Sequence, residues 1–256
     1  MRISTAIFLM TKSNLSKSNL KALKVSKAKK TYSTSNHSES PSSTSQQIPW
    51  YIHFTKNDSL YEDYMANEWG YEKRGDVALF EKLCLEGAQS GLSWRTILNK
   101  RQAYRSTFYN FDIERVSKMT KEDIDAILLS ENSGNDIVVR HRGKIESVVN
   151  NAKCILTMSE REEGYTSFSD YLWSFVEGKP ILNAWKEFND IPSKSTESEA
   201  MSKALKKHGF KYVGSTTCYS LMQSCGFVID HPFHSPEWRK SYDILKQRED
   251  GFHDRR

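Results

Sequence analysis

The sequence has no apolar run long enough to cross a membrane: such a helix needs roughly 18 apolar residues, and the run nearest the start, AIFLM, has five. A helical membrane protein is thereby excluded, and no membrane partner is expected. Cysteine is scarce. Cys84, Cys154, Cys218 and Cys225 form no CxxC pair, and without a secretory signal they read as reduced, mostly buried small hydrophobes. Alternating β-branched runs are missing, which argues against a sheet, and no internal repeat is present, which argues against a solenoid. Acidic residues are nearly absent from residues 1–46, where Glu39 alone stands against eight Lys or Arg. That segment carries +7 and the remaining 210 residues sum to −2, so the basic pI of about 8.8 describes the leader and not the body.

The leader is crowded with Ser and Thr and would have little to bury on folding, so it is expected to be unstructured. Acid-poor, hydroxyl-rich and basic is the composition of a transit peptide for a mitochondrion or plastid, although Arg2 is its only arginine. The alternatives are a solvated tail or, through KAKK, a nuclear address. Over the whole chain, 38% hydrophobic and 12% aromatic residues are enough for a core. Residues 47–238 read as one helical domain and residues 239–256 as a charged tail.

Helical patterns follow one another through that domain. Ser59 with Glu62 three residues on forms a capping box, and the helix behind it places Tyr61 and Tyr64 on neighbouring turns of one face. Asp76 can cap a helix from Val77 to about Ser90, Ser93 can cap WRTILNKRQAYRSTFY, and Thr120 opens KEDIDAILL. HRGKIESVVNNAKCIL and FSDYLWSFV supply further amphipathic stretches, the second stopped by Gly178. An all-α fold is expected.

Two places carry chemistry. In LCLEGAQSGLSW the helical stripe Leu79, Leu83, Glu86, Ser90 aims a carboxylate the same way as two leucines. Such a charge is costly unless paired, so it has a structural partner or waits for a ligand. The bland alternative for Glu86 alone is a salt-bridged or half-exposed side chain. The second place is Ala200 to Gly226, where one helical pattern stops at Gly209, FKYVG turns, and another starts near Ser215. The amides of Gly214, Ser215 and Thr216 would face outward as an anion site. Lys203, Lys206, Lys207 and Lys211 surround it with positive charge, which suits one DNA phosphate held without regard to sequence. A glycine between helices is otherwise only a turn.

LYEDYMANEWG, LFEKLCLEGAQSGLSWRTILNKRQAYR, RHRGKI, FSDYLWSFV and SKALKKHGFKYVGSTTCYSLMQSCGFVIDH together resemble the 3-methyladenine DNA glycosylase I family, in order from about Trp50 to His231. The resemblance implies the helix-hairpin-helix DNA glycosylase fold. It also implies excision of N3-methyladenine from alkylated double-stranded DNA, with free 3-methyladenine as product, an abasic site left behind, and a monomeric protein. By position, Glu86 matches the pocket glutamate, Tyr64 the tyrosine that hydrogen-bonds the base, Trp94 the tryptophan closing the pocket, and Tyr61 and Trp69 its aromatic neighbours. A flipped-out base needs an aromatic slot, and a cationic base is drawn to ring faces and to a carboxylate. On this expectation Glu86 is left unpaired by the protein. Singly these aromatics would be core residues, as Trp173 and Trp185 are taken to be. The readings kept open beside it are a catalytically silent hairpin protein and a glycosylase of shifted modified-purine specificity.

The sequence departs from the family at its zinc site. The four ligand positions of bacterial members hold Ile48, Met65, His231 and Ser235, so no metal is expected, and an apolar contact between Ile48 and Met65 could replace the staple. His231 and His234 form an HxxH with His53 not far off, which leaves a rearranged site open. Asp230, 16 residues beyond Gly214, reads as structural or as a secondary electrostatic aid. LSENSGNDIVV reads as a lengthened surface loop, and His141, Arg142 and Lys144 as phosphate contacts or as capping residues.

Overall fold

The computed structural model describes residues 49–159, 164–186 and 188–253. The leader and Ile48 lie outside the described residues. The rest is helical, as expected: α1 (Ile52–Thr55), α2 (Ser59–Asn67), α3 (Asp76–Gln89), α4 (Trp94–Asn99), α5 (Arg101–Thr107), α6 (Ile113–Ser117), α7 (Lys121–Leu129), α8 (Arg142–Ser159), α9 (Phe168–Ser174), α10 (Thr196–Lys207), α11 (Ser215–Ser224) and α12 (Pro236–His253). Strand among the described residues is one short parallel pair, β1 (Ile181–Leu182) and β2 (Val228–Ile229), with Ile181 opposite Val228. It joins the segment after α9 to the segment after α11.

Helix α3 is the central element. From Lys82 to Gln89 every residue is buried, as in a helix surrounded on all sides, and α4, α8, α9 and α11 pack against it. Gly87 permits one close approach: a Cβ there would stand 3.1 Å from the Cβ of Tyr212, in the turn before α11. Gly226, at φ +72°, ends α11 where any Cβ would collide at 2.5 Å with the backbone of Tyr71 and Glu72.

Ser93 caps α4 by accepting the Thr96 amide, and Thr120 caps α7 with Asp123 closing the reciprocal box, both as expected. Two other caps shift by one residue. Asp58, not Ser59, caps α2 by accepting the Tyr61 amide at 3.2 Å, and Glu62 accepts a hydrogen bond from Thr55 Oγ1 instead of closing a box. Gly75 precedes α3, while Asp76 is already helical and accepts the Ser169 amide at 2.8 Å. The single helix expected from WRTILNKRQAYRSTFY is broken at Lys100 into α4 and α5; there Lys100 Nζ reaches away to donate to the Ile137 carbonyl at 2.9 Å. The first hairpin helix starts before Ala200, at Thr196, where Ser195 and Ser198 cap it reciprocally. Residues read as a charged tail begin inside α12, where Tyr242 stacks on Trp238 and Arg248 pairs with Glu72.

Candidate active site

Glu86 stands on the buried half of α3 with 4% of its surface exposed. Helix α2 brings Tyr61 and Tyr64 to it, and the Ser93 cap starts α4 at Trp94. The rings of Tyr64 and Trp94 lie 5.2 Å apart at 40°, with Tyr61 6.4 Å from Tyr64. Leu79 and Leu83 are buried along the expected stripe, and Ser90 at its end is exposed. Trp69 turns elsewhere, packing on His231 at 5.2 Å and Trp50 at 5.7 Å. The Tyr61 hydroxyl, Trp94 Nε1 and Gln89 Nε2 are buried without a hydrogen-bond partner among the described residues. An unmet buried polar group costs about 1–3 kcal/mol, so three of them near a buried carboxylate mark a place for a polar ligand.

The expectation that the protein leaves Glu86 unpaired does not hold. Lys82, one turn earlier on α3 and fully buried, sets its ammonium 3.8 Å from Glu86 Oε1. The same Nζ donates to the Tyr64 hydroxyl at 2.8 Å and lies 4.7 Å from the Tyr64 ring centre and 4.5 Å from that of Trp94. A carboxylate this deep needs a counter-charge, and the i,i+4 spacing supplies one. Burial pushes the Glu86 carboxyl upward, with Lys82 and then Ser224 working against the rise, and burial pushes the Lys82 ammonium downward against the pull of Glu86. Burial likewise holds the Tyr64 phenol protonated. Because that hydroxyl accepts from Lys82, its own hydrogen is available to a ligand.

Behind Lys82 the charges alternate toward the surface. Glu68 Oε1 is 3.9 Å from Lys82 Nζ, and Arg101 grips the Glu68 carboxylate with two hydrogen bonds of 2.6 and 2.9 Å. Arg101 also donates to Glu81 at 2.7 Å, which Arg105 reaches at 2.9 Å. Burial opposes ionisation of Glu68, yet the Arg101 hydrogen bonds, with Lys82 and Lys73, hold its carboxyl down to about 2. Lys82, Glu68 and Arg101 were not singled out in the sequence. The one available signal was that Lys82 and Glu86 stand four apart on a helix.

The hairpin is built as expected and clamped from a side the sequence did not reveal. Gly214 precedes α11 and offers no side-chain cap, and Lys206, Lys207 and Lys211 are exposed around it, with Ser215 and Thr216 half-buried. Asn151 on α8 holds the Lys211 backbone at both ends, donating to its carbonyl at 3.1 Å and accepting its amide at 2.8 Å. Asn150 donates to the Gly209 carbonyl at 2.9 Å. Through the Gly87 and Tyr212 contact, the turn is seated on α3 beside Glu86. Lys144 caps the same helix, its Nζ donating to the carbonyls of Ala88 and Ser90 at 2.7 and 2.6 Å. Asp230 is saturated: Asn183, Trp185, Tyr219 and Gln223 donate to its carboxylate at 2.7–2.8 Å. That is a structural carboxylate, knitting β2 to α11.

The methyladenine glycosylase profile matches residues 54–237. The chain belongs to the methyladenine glycosylase family. It is 48% identical over 185 residues to DNA-3-methyladenine glycosylase of Haemophilus influenzae, covering 72% of this chain and 94% of that one. It is 44% identical over 178 residues to DNA-3-methyladenine glycosylase 1 of Escherichia coli, covering 70% and 91%. A solved 3-methyladenine DNA glycosylase I from Staphylococcus aureus, in work on its recognition of 3-methyladenine, superposes with a TM-score of 0.65 at 36% identity, covering 71% of this chain and 92% of its own.

The residues at the zinc positions do not fit a zinc ion. His231 is fully buried with both ring nitrogens unpartnered among the described residues, its ring set against Trp50, Trp69 and Tyr71. Burial, and to a lesser degree Lys240, lowers it to about 3. Met65 is buried, and Ser235 Oγ accepts the Trp238 amide at 3.1 Å. His234 and His53, the other members of the rearranged set, are exposed. Among the described residues no three His, Cys, Asp or Glu gather as metal ligands. The contact expected between Ile48 and Met65 involves a residue outside the described set.

Proposed function

We propose that this member of the methyladenine glycosylase family hydrolyses the N-glycosidic bond of N3-methyladenine in alkylated double-stranded DNA, with Glu86, Tyr64 and Trp94 as the groups that receive the base. The observation that carries it is the cation already held against the Tyr64 and Trp94 rings beside the buried Glu86 carboxylate. Adenine methylated at N3 in DNA is itself a cation. Each ring face favours such a charge by roughly 1–2 kcal/mol once water is excluded, and the carboxylate adds to this. Neutral adenine gains neither in full and is rejected.

The reaction asks little of general acid catalysis. As the bond from C1′ of the sugar to N9 breaks, its electron pair passes to the base and cancels the positive charge, so the base leaves neutral. Water supplies the oxygen that bonds to C1′ and gives up a proton to solvent. The products are free 3-methyladenine and an uncut strand with an abasic site. Rotating the base out of the duplex costs a few kcal/mol, offset by stacking on the rings and by phosphate contacts at the hairpin. Lys206, Lys207, Lys211 and the amides of Gly214, Ser215 and Thr216 are assigned to those phosphates; Tyr61, beside Tyr64, is assigned to the pocket wall, whereas Trp69, packed on His231 and Trp50, is not. We assign no metal to the reaction and read the active form as a monomer.

Incubating the purified protein with methylated duplex DNA and identifying what is released tests this. Free 3-methyladenine with intact strands is expected. Absence of released base, or cleaved strands as the primary product, contradicts the assignment.

A further inference from the structure

Lys82 takes no part in the reaction scheme above. It is the one buried ammonium in contact with Glu86 among the described residues, and it lies between two carboxylates at nearly equal range, 3.8 Å from Glu86 and 3.9 Å from Glu68. Its Nζ covers both ring faces that a base would need. We propose, resting on the functional reading above, that Lys82 is a resident counter-cation: it occupies the cation's place beside Glu86 while the pocket is empty, keeps that carboxylate ionised, and withdraws toward Glu68 when an alkylated base enters.

Two like charges cannot share the slot. A lesion cation and an ammonium both within reach of one carboxylate repel each other in a site from which water is excluded. Space gives the same answer, since the Tyr64 and Trp94 centroids are 5.2 Å apart and the ammonium lies within 4.7 Å of each. The exchange of one cation for another means that Glu86 never stands bare in the core. Without Lys82, the groups facing Glu86 are the phenols of Tyr61 and Tyr64 from α2, Glu68 beyond α2, and Ser224 and Cys225 at the end of α11. None is a cation; Arg101 and Lys73 are held on Glu68. Burial would then drive a proton onto Glu86 and abolish the charge that recognises the lesion.

Lys82 is thus a positioning residue acting through Glu86, and a pH profile separates this from packing. Single-turnover release of 3-methyladenine from methylated duplex is measured from pH 6 to 9 for the wild type and Lys82→Met, whose unbranched side chain suits the aromatic surroundings. The wild type is expected to change less than about threefold. The variant should rise at least about tenfold with pH, because a carboxyl below its pKa loses about tenfold in ionised fraction per unit. Parallel flat profiles, whatever the absolute rates, overturn the proposal. A second measurement needs no variant: in wild-type crystals soaked with the 3,9-dimethyladeninium cation, which keeps the charge of the lesion base, the ring should lie against Tyr64 and Trp94 beside Glu86 with Lys82 Nζ on Glu68. A base bound with Nζ still over both rings beside Glu86 overturns it. A wild type that releases no base from methylated DNA removes the functional reading first, and this inference with it.

Discussion

Glu86, Tyr64 and Trp94 are legible only through the blocks that resemble the family, since singly they read as an ion-paired glutamate and two core aromatics; the structure brings all three together. Lys82 is not legible. A lysine on a helix reads as a solvated face, and only the packing of α2 and α4 over this turn of α3 turns it inward. Arg101 was hidden for the same reason, since its partner Glu68 is 33 residues away. That pairing carries a prediction. Arg101→Met removes the one side chain that bridges two partly buried carboxylates, leaving Glu81 with Arg105 and Glu68 with Lys73 and Lys82, and should cost roughly 1–3 kcal/mol in thermal or urea unfolding. It should also flatten the acid limb of the stability curve. Glu68 is held below its ordinary value, so its contribution is full above about 4.5 and is lost as pH falls toward about 2. A variant that keeps the wild-type slope between those values would show that Arg101 does not set the Glu68 charge.

At the scale of elements, the sequence was most legible where a turn or cap fixed the answer. Ser93, Thr120 and Gly209 mark boundaries that the structure keeps. It was least legible where a tertiary contact overrides local pattern. Lys100, at the helix break, meets a carbonyl 37 residues on, and Asn150 and Asn151 clamp hairpin-turn residues 59 and 60 away. Because that clamp fixes the turn by its backbone, the lysines around it are free to serve phosphate. Lys206→Gln with Lys207→Gln should weaken binding to duplex DNA of any sequence and lower the slope of log affinity against log salt by about 2, with the unfolding midpoint nearly unchanged. An unaltered slope places the phosphates elsewhere.

At the scale of the whole molecule, the helical architecture and its membership of the methyladenine glycosylase family were legible from long ordered blocks, whereas the end-to-end staple was not. Where zinc ligands would stand, the structure sets a buried, uncharged His231 in an aromatic cage and docks α12 on the body through Trp238, which donates to the Asn183 carbonyl, and Arg248, which pairs with Glu72. We therefore expect elemental analysis of the purified protein to give well under one zinc per chain; a stoichiometric ion contradicts this. The leader is proposed as an organelle address, and a fluorescent fusion of residues 1–46 that stays in the cytosol would end that proposal. The central claim concerns the single buried carboxylate and its charge. Glu86→Gln keeps the shape and removes the charge, so its single-turnover release of 3-methyladenine from methylated DNA should fall by about 100-fold or more, since losing one partner of a buried charge pair costs some 2–5 kcal/mol. A folded Glu86→Gln protein that releases the base at the wild-type rate would contradict the account.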